Sequence, residues 1–465
     1  LVNRVFLVES FVYRVEKEGY TPSEEEIRSI GEILGQPTKK LEVVLDRYWQ
    51  VFTKNIEKKC SSLGSRSICI YTWRSNVPFK VYPLALHAFG TIILFEGDKP
   101  VNVLAYPFNK PLSYAKSPGI SEEELRGKVP REVTVRVDGW HLTLYYNPLI
   151  ERWVFATRYV LHNMYYVKGR LVEEPLDIIA NPYVELADAK AKETGLYEAV
   201  DRYRGWTFTF VLEGPEPAIT RPPYPIGADP SQYRLYLLMA RDPEGRLYTW
   251  SETKRLLGYE TPSLVEPREI SELYREVRER LDVRSYIAFV DSGDPENPVL
   301  VELESDYYAE AMNAKHLNDA KSAAMLIAEG MLDKLLGLLS DQQAAVAREL
   351  GKRVYELQEA LITSTSHAPI EEVSRALVDA AREQGVRGLY YEEVAKALKE
   401  ANVKRVVKKT LGLILEGKSL LSIDSIQPLD RLLESFKSRL QLKEQPPGSR
   451  GSLKGRRQQS SMVTG

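Results

Sequence analysis

PVNVLAYPFNKPLSYAK (100–116), VTVRVDGWHLTLYYN (133–147) and RWVFATRYVL (152–161) decide how this chain is read. The last two read as a strand carrying Arg136, a turn at Asp138-Gly139, a return strand, and a third strand ending at Thr157-Arg158. Asp-Gly is a strong turn signal because glycine adopts backbone angles closed to other residues. The β-branched and aromatic residues on either side favour strands.

Working outward, RSICIYTW, FKVYPLALHAFG and TIILFEG are apolar runs split by Gly, Pro and Asn, which predicts strands through 66–106. A polar connector fills 117–132, and a further strand is expected near 165–170. A helix follows over 183–203, then a strand over 205–217 ending at Gly214-Pro215. QYRLYLLMARD (232–242) and GRLYTW (245–250) read as a hairpin, and 267–281 as a helix. VRSYIAFVDSG (283–293) and NPVLVELESDYY (297–308) read as a second hairpin with DPEN at its tip.

The two ends are helical. Residues 1–58 read as three helices, the second N-capped by Ser23 and the third opened by Pro37-Thr38. Such a trio raises a helix-turn-helix DNA reader. The third helix mixes Lys39, Lys40, Arg47 and Lys54 with Glu42 and Asp46, a poor surface for phosphates, so a packing module is expected. From about 309 to 420 apolar residues recur at helical spacing, which predicts a domain of four or five helices. From Gln445 the chain is polar and basic, a disordered tail by composition. The expected division is 1–60, 61–308, 309–442 and 443–465.

Hydrophobic content of 43% and charged content of 28% describe an ordinary globular chain. A formal charge of −2 points to no nucleic-acid or membrane partner for the chain as a whole, so any basic surface is local. Two cysteines, Cys60 and Cys69, and five histidines predict neither a disulfide framework nor a metal centre. The first residues interleave charges with apolar groups, unlike a signal peptide or membrane span, and a cytoplasmic location is expected. Few cysteines with abundant Lys, Glu and Arg are compatible with a heat-adapted source.

From about 70 to 310 the order of elements resembles the ATP-dependent RNA ligases, especially the phage tRNA-repair type of the covalent nucleotidyltransferase superfamily. The run that carries the resemblance is YPFNK, Asp138-Gly139, ATR (156–158), a strand ending before GPE (214–216), and two strands ahead of SDYY (305–308). It implies an α+β fold: a core of antiparallel sheets around a groove, with a helical C-terminal domain. In such enzymes a lysine one residue ahead of the Asp-Gly pair attacks the α-phosphate of ATP. The lysyl-AMP passes to an RNA 5′-phosphate, and a 3′-hydroxyl then displaces AMP.

The matching position here is Arg136. That chemistry needs an amine that can lose its proton, and a guanidinium stays protonated. Lys128 and Lys168 lie well away from the turn. An arginine expected before a glycine is Phe89, before Gly90; an expected glutamate is Val211, with Glu213 displaced by two. An expected Glu-Gly is Ser285-Tyr286, and an expected Lys-x-Lys is Glu302 and Glu304. Two carboxylates there would repel ATP phosphates. Lys110, Asp138, Gly139, Thr157, Arg158, Gly214, Pro215 and Glu216 match the family pattern. Lys110, Asp138, Gly139, Thr157, Arg158 and Glu213 are therefore the expected vestigial nucleotide- or phosphate-binding residues.

Other candidates remain. Glu302, Glu304 and Asp306 share a strand face and would suit Mg²⁺, but a solvated face, or pairing with Arg136 and Arg158, is the expectation, with no metal. His87, His141 and His162 lack a paired nucleophile, and the tyrosine doublets 145–146, 165–166 and 307–308 suit packing. Lys404, Arg405, Lys408 and Lys409 fall on one helix side and, with Lys454, Arg456 and Arg457 of the tail, form the RNA-binding candidate. The sequence thus points to an RNA ligase-like protein without adenylation chemistry or cofactor. It would bind tRNA or single-stranded RNA, or partner an active RNA repair enzyme. The alternatives are an active ligase using ATP and Mg²⁺ through another nucleophile, and an interaction scaffold that binds no nucleic acid.

Overall fold

The computed structural model describes residues 3–220 and 222–440. The chain divides into two compact units at Leu317/Asn318, and the fold is α+β with antiparallel sheets in the first unit.

Three helices open the first unit: α1 (Arg4–Lys17), α2 (Glu24–Ile33) and α3 (Leu41–Lys54). Asn3 caps α1 by accepting from the Val5 and Phe6 amides. Ser23 caps α2 in a reciprocal box with Glu26. The third helix starts at Leu41 without a side-chain cap, later than Pro37-Thr38 suggests. Val5, Val8, Phe11, Ile30, Val44 and Val51 face Tyr71, Ile93 and Phe95 in one core, so these helices cover a sheet.

That sheet is β1 (Ile56–Leu63), β2 (Arg66–Trp73), β3 (Phe89–Glu96) and β4 (Lys99–Ala105), paired in chain order. The segment IEKKCSSL is too polar to read as a strand, yet pairing with β2 along its whole length makes it one. Cys60 stands directly opposite Cys69 in that pairing, and the two form a disulfide, contrary to the cysteine count's suggestion. Directly opposed strand residues bring their Cβ atoms within bonding reach, a proximity visible only once β1 is known to be a strand. FKVYPLALHAFG is not a strand. It forms a 3₁₀ turn at Phe79–Val81 and α4 (Tyr82–Ala85), with Pro83 in the first turn, where its missing N–H costs nothing.

The remaining strands are β5 (Leu112–Ser113), β6 (Glu132–Val135), β7 (Trp140–Asn147), β8 (Arg152–Thr157), β9 (Met164–Val167), β10 (Arg170–Glu173), β11 (Thr207–Glu213), β12 (Arg234–Arg241), β13 (Leu264–Val265), β14 (Ser285–Val290) and β15 (Val299–Glu304). They build a four-stranded sheet ordered β12-β11-β7-β8, a five-stranded sheet ordered β13-β6-β14-β15-β5, and the hairpin β9-β10.

The Asp138-Gly139 turn is therefore no hairpin. It carries the chain from β6 in the five-stranded sheet to β7 in the four-stranded one. A Cβ on Gly139 would sit 2.3 Å from the Leu212 carbonyl oxygen, so only glycine lets the crossover pass so close to β11. GRLYTW also departs from its reading. Leu247 makes one isolated bridge to Arg241, and Thr249 caps α7 (Trp250–Leu257) in a capping box with Glu252. The partner of β12 is β11. The hairpin β14-β15 forms as expected, Val290 facing Val299 and Ser285 facing Glu304.

Helices cover the outer sheet faces. α5 (Pro182–Thr194) and α6 (Leu196–Val200) pack with Leu142, Phe155, Phe208 and Phe210 of the four-stranded sheet. α8 (Ile270–Val277) packs with Val133, Tyr286, Val301 and Leu303 of the five-stranded one. α9 (Tyr308–Leu317) ends the unit.

The second unit is helical: α10 (Ala320–Ala328), α11 (Leu332–Leu336), α12 (Asp341–His367), α13 (Ile370–Glu383), α14 (Tyr391–Lys399), α15 (Val403–Ile414) and α16 (Gln427–Arg439). Among the described residues α9 to α15 occupy the 309–420 stretch read as four or five helices, because short polar turns divide its long periodic runs, and α16 lies beyond it. The tail from Gln441, with Lys454, Arg456 and Arg457, lies outside the described residues. No helix among the described residues is long and apolar enough to cross a membrane.

Candidate functional site

The sheet β12-β11-β7-β8 and the five-stranded sheet flank a cleft of about 390 Å³. Below it Phe89, Phe108, Met239, Trp250, Ile287 and Leu300 pack into one cluster. Each large side chain so buried stabilises the junction by about 1.5–3 kcal/mol. Strand alternation then lifts polar residues from the same faces: Thr134 on β6 and Arg136 just beyond it, Glu302 and Glu304 on β15.

Arg136 is held twice. Its backbone N–H donates to the Ser285 carbonyl at 3.0 Å, and its guanidinium pairs with Glu302. Glu302 is 8% exposed and also accepts from Ser285 Oγ at 2.8 Å. Burial alone would raise its pKa, but the Arg136 charge and the hydrogen bonds from Arg136 and Ser285 hold it below the usual carboxylate range. Arg136, Ser285 and Glu302 are thus one interlocked group.

The other carboxylates of the strand face are also paired. Glu304 meets Lys116 at 3.2 Å, and Asp306 meets Arg278 at 3.2 Å. Among the described residues no group of three or more His, Cys, Asp or Glu side chains is arranged to hold a metal ion. With each acidic group committed to a cation, the residues present do not fit the divalent ion that the ligase resemblance implies.

Arg158 does not pair with Glu302 or Glu304, as its position near them suggested. Its guanidinium lies over the Phe89 ring at 4.5 Å and the Tyr159 ring at 4.3 Å. Burial, with the Arg136 and Arg284 charges, pulls its pKa down to about 10. Lys110 lies over the Trp73 ring at 4.6 Å. Burial first, then the Arg158 charge, pushes its ammonium below the ordinary lysine range, against the pull of Glu302. Among the described residues neither cation has a carboxylate partner. The cleft therefore holds two neutralised arginines, Arg136 and Arg284, and two cations free to meet an anion.

Asp138 and Thr157 play other parts. Asp138 accepts from Arg284 at 2.8 Å, the Ile219 amide at 3.2 Å and the Tyr308 hydroxyl at 3.4 Å, tying the crossover to β14 and α9. Thr157 closes its own turn, its hydroxyl accepting from the Val160 amide at 2.9 Å. Glu213 accepts from the Tyr236 hydroxyl at 3.2 Å on the neighbouring strand. Lys110, Arg136, Gly139 and Arg158 line the cleft together; Asp138, Thr157 and Glu213 are not among its lining residues.

His141 lines the cleft between the Phe89 and Phe108 rings, 5.4 Å and 5.2 Å away, and neither ring nitrogen has a partner. Burial, with Arg158 and Arg136 nearby, lowers its pKa to about 3, so it is neutral. Arg241 carried no sequence signal. It is 1% exposed, stacks on Tyr106 at 3.7 Å and donates to the carbonyls of Pro107, Gly245 and Glu296 and to Asn109 Oδ1. It thereby fixes the segment that delivers Phe108 and Lys110.

In the second unit the basic helix side is largely neutralised. Lys404 and Lys408 both meet Glu329, at 2.5 Å and 2.8 Å, and Lys409 pairs with Glu393. Of the four, Arg405 alone has no carboxylate partner among the described residues.

No family model and no curated protein matches the chain. Among solved structures it is similar to an archaeal ATP-dependent RNA ligase. One form shares 16% identity over 66% of this chain and 68% of that one, with a TM-score of 0.36. A second form shares 16% over 72% and 82%, also with a TM-score of 0.36. It is similar too to a lysine-to-alanine mutant of the Naegleria gruberi RNA ligase with ATP and Mn, at 14% identity over 40% of this chain and a TM-score of 0.29. The chain spans about half that ligase, 53% of its length.

Proposed function

We propose that this chain is an RNA ligase-like protein whose cleft receives the phosphate of a nucleotide or RNA end without forming a lysyl-nucleotide bond. It acts by binding RNA, or beside an active ligase, in RNA repair or processing. The observation that carries this reading is the split among the cleft's cations. Arg136, at the nucleophile position, is locked to Glu302 and Ser285, while Lys110 and Arg158 face the cleft without carboxylates. A half-buried cation without a counter-charge is costly, and a phosphate would relieve it. The guanidinium of Arg136 cannot act as a nucleophile, and the paired acids favour no divalent ion.

The test is incubation of the full chain with α-labelled ATP and Mg²⁺, alongside binding of a 5′-phosphorylated RNA. The expected result is no acid-stable protein–AMP band, with RNA binding that weakens in Lys110→Ala and Arg158→Ala. One observation favours a second reading: Lys110 is the one lysine lining the cleft among the described residues. A labelled band that disappears in Lys110→Ala would establish that reading and refute the first.

A further inference from the structure

A second cavity, of about 430 Å³, shares Tyr82, Lys110, Leu112 and Leu300 with the cleft. Its size falls within the range of small-molecule sites. Three features of its lining go unused by anything described above.

The first is an amide pair beside a buried histidine. His87 is 2% exposed, and its Nδ1 accepts the Arg4 backbone N–H at 3.2 Å, with the Tyr106 hydroxyl at 2.9 Å. An Nδ1 that accepts a backbone proton leaves the ring proton on Nε2. That Nε2–H faces the Asn297 side chain, whose oxygen is its acceptor. Asn297 is itself bonded to Asn109 Nδ2 at 3.3 Å, so an amide pair borders the donor.

The second is Phe79, whose ring is 56% exposed and braced edge-on by Tyr82 at 5.2 Å. The third is charge. Arg4 and Lys80 line the cavity, and neither has a carboxylate partner among the described residues. With Lys110 they make three cations on one cavity. An apolar ligand would leave all three charges unmatched.

We infer that this cavity takes one unpaired nucleobase, its ring against Phe79 and its polar edge toward the Asn109–Asn297 amide pair, with its phosphate at Lys110 where the cavity meets the cleft. The inference rests on the phosphate-binding reading of the cleft. A free mononucleotide and the terminal residue of a single-stranded RNA share this chemistry. Arg4 and Lys80 suit the next phosphate of a strand.

The experiment measures binding of a fluorescent 5′-phosphorylated tetraribonucleotide by anisotropy, and of AMP by calorimetry, to the full chain. The variants are Phe79→Ala and Lys80→Ala, both at exposed positions, His87→Phe, and Arg158→Ala as the cleft control. Loss of a stacked base weakens binding roughly 5- to 150-fold, and Phe79→Ala is expected in that range. Lys80→Ala should act less, and less still at high salt. A Phe79→Ala effect on both ligands supports a mononucleotide; an effect on RNA alone supports a strand end. Binding lost in Arg158→Ala but unchanged in Phe79→Ala, Lys80→Ala and His87→Phe overturns the inference and leaves the cleft reading standing. Binding lost in Phe79→Ala but unchanged in Arg158→Ala supports the cavity and overturns the cleft reading.

Discussion

Replacing Arg136 by alanine tests the interlocked group directly. Breaking a fully buried ion pair by removing one partner costs about 3–5 kcal/mol, because the remaining charge stays out of water. Glu302 is that remaining charge, and it is 8% exposed. Two facts lower the figure. The Arg136 side chain is itself 33% exposed, and the Arg284 charge still reaches Glu302. An expected loss of about 2–3 kcal/mol follows, or roughly 4–6 °C in Tm for a unit this large. The cost should depend on pH with a definite sign. In the native chain the Glu302 pKa is held down, so its stabilisation is present above the unfolded carboxylate value of about 4.3 and is lost as pH falls through the lower folded value. Without Arg136, burial goes largely unopposed and the carboxyl takes a proton at higher pH, so the variant's deficit at pH 7 should shrink by pH 5. Glu302→Gln keeps a partner for Ser285 and leaves a guanidinium that reaches water, so it should cost about 1 kcal/mol, less than Arg136→Ala. Urea unfolding at pH 7 and pH 5 reads all of this. Equal deficits at both pH values, or a larger loss in Glu302→Gln, would refute the reasoning.

Acid should weaken the first unit before its carboxylates titrate. Burial lowers the pKa of His87, His141 and His162, so the unfolded chain binds more protons below about pH 6.5 and stability falls as pH drops. With His141 at about 3, its share at pH 4.5 is roughly 2–3 kcal/mol; an unchanged pH slope in His141→Phe would count against this. Reducing the Cys60–Cys69 bond should lower stability by up to about 2–3 kcal/mol, the loop-closure value for a separation of nine residues, and unfolding with and without dithiothreitol measures it. Arg136→Lys alone should form no protein–AMP, because Glu302 would keep the new ammonium protonated; a labelled band from that single change would contradict the locked-site account. Lys404→Ala and Lys408→Ala should change RNA affinity less than twofold, since Glu329 already neutralises both, whereas a salt-dependent loss of tenfold would restore that helix as an RNA surface.

What the sequence made legible follows from the range of the forces involved. The capped helix at Ser23 and the hairpin of β14 and β15 are local, so spacing and turn chemistry reveal them. The strand β1 and the disulfide on it depend on a partner strand, and polar IEKKCSSL has no local reason to extend. The Asp138-Gly139 turn was visible as a turn, but whether a turn returns to the same sheet is decided by what packs on either side. Here Leu212 of β11 comes close enough to exclude any side chain. Arg241 sits in an ordinary strand sequence, and its acceptors lie at three separate places in the chain, at Gly245, at Glu296 and, over a hundred residues away, at Pro107 and Asn109.

The cleft shows the same divide at the level of charge. The resemblance sets Arg136 at a nucleophile position and Glu302 and Glu304 at two phosphate-side positions. It did not show that one glutamate answers the arginine through a shared serine while the other answers Lys116. If the site served only to hold the fold, the remaining cations would be expected to find carboxylates as well. Arg158 instead spends its guanidinium on two aromatic rings and Lys110 on a third. Aromatic faces orient a cation without cancelling its charge. Half-buried charge left uncancelled costs stability unless an anion arrives. Lys110 and Arg158 line the cleft without a carboxylate partner among the described residues, so a phosphate entering it would meet attraction between them.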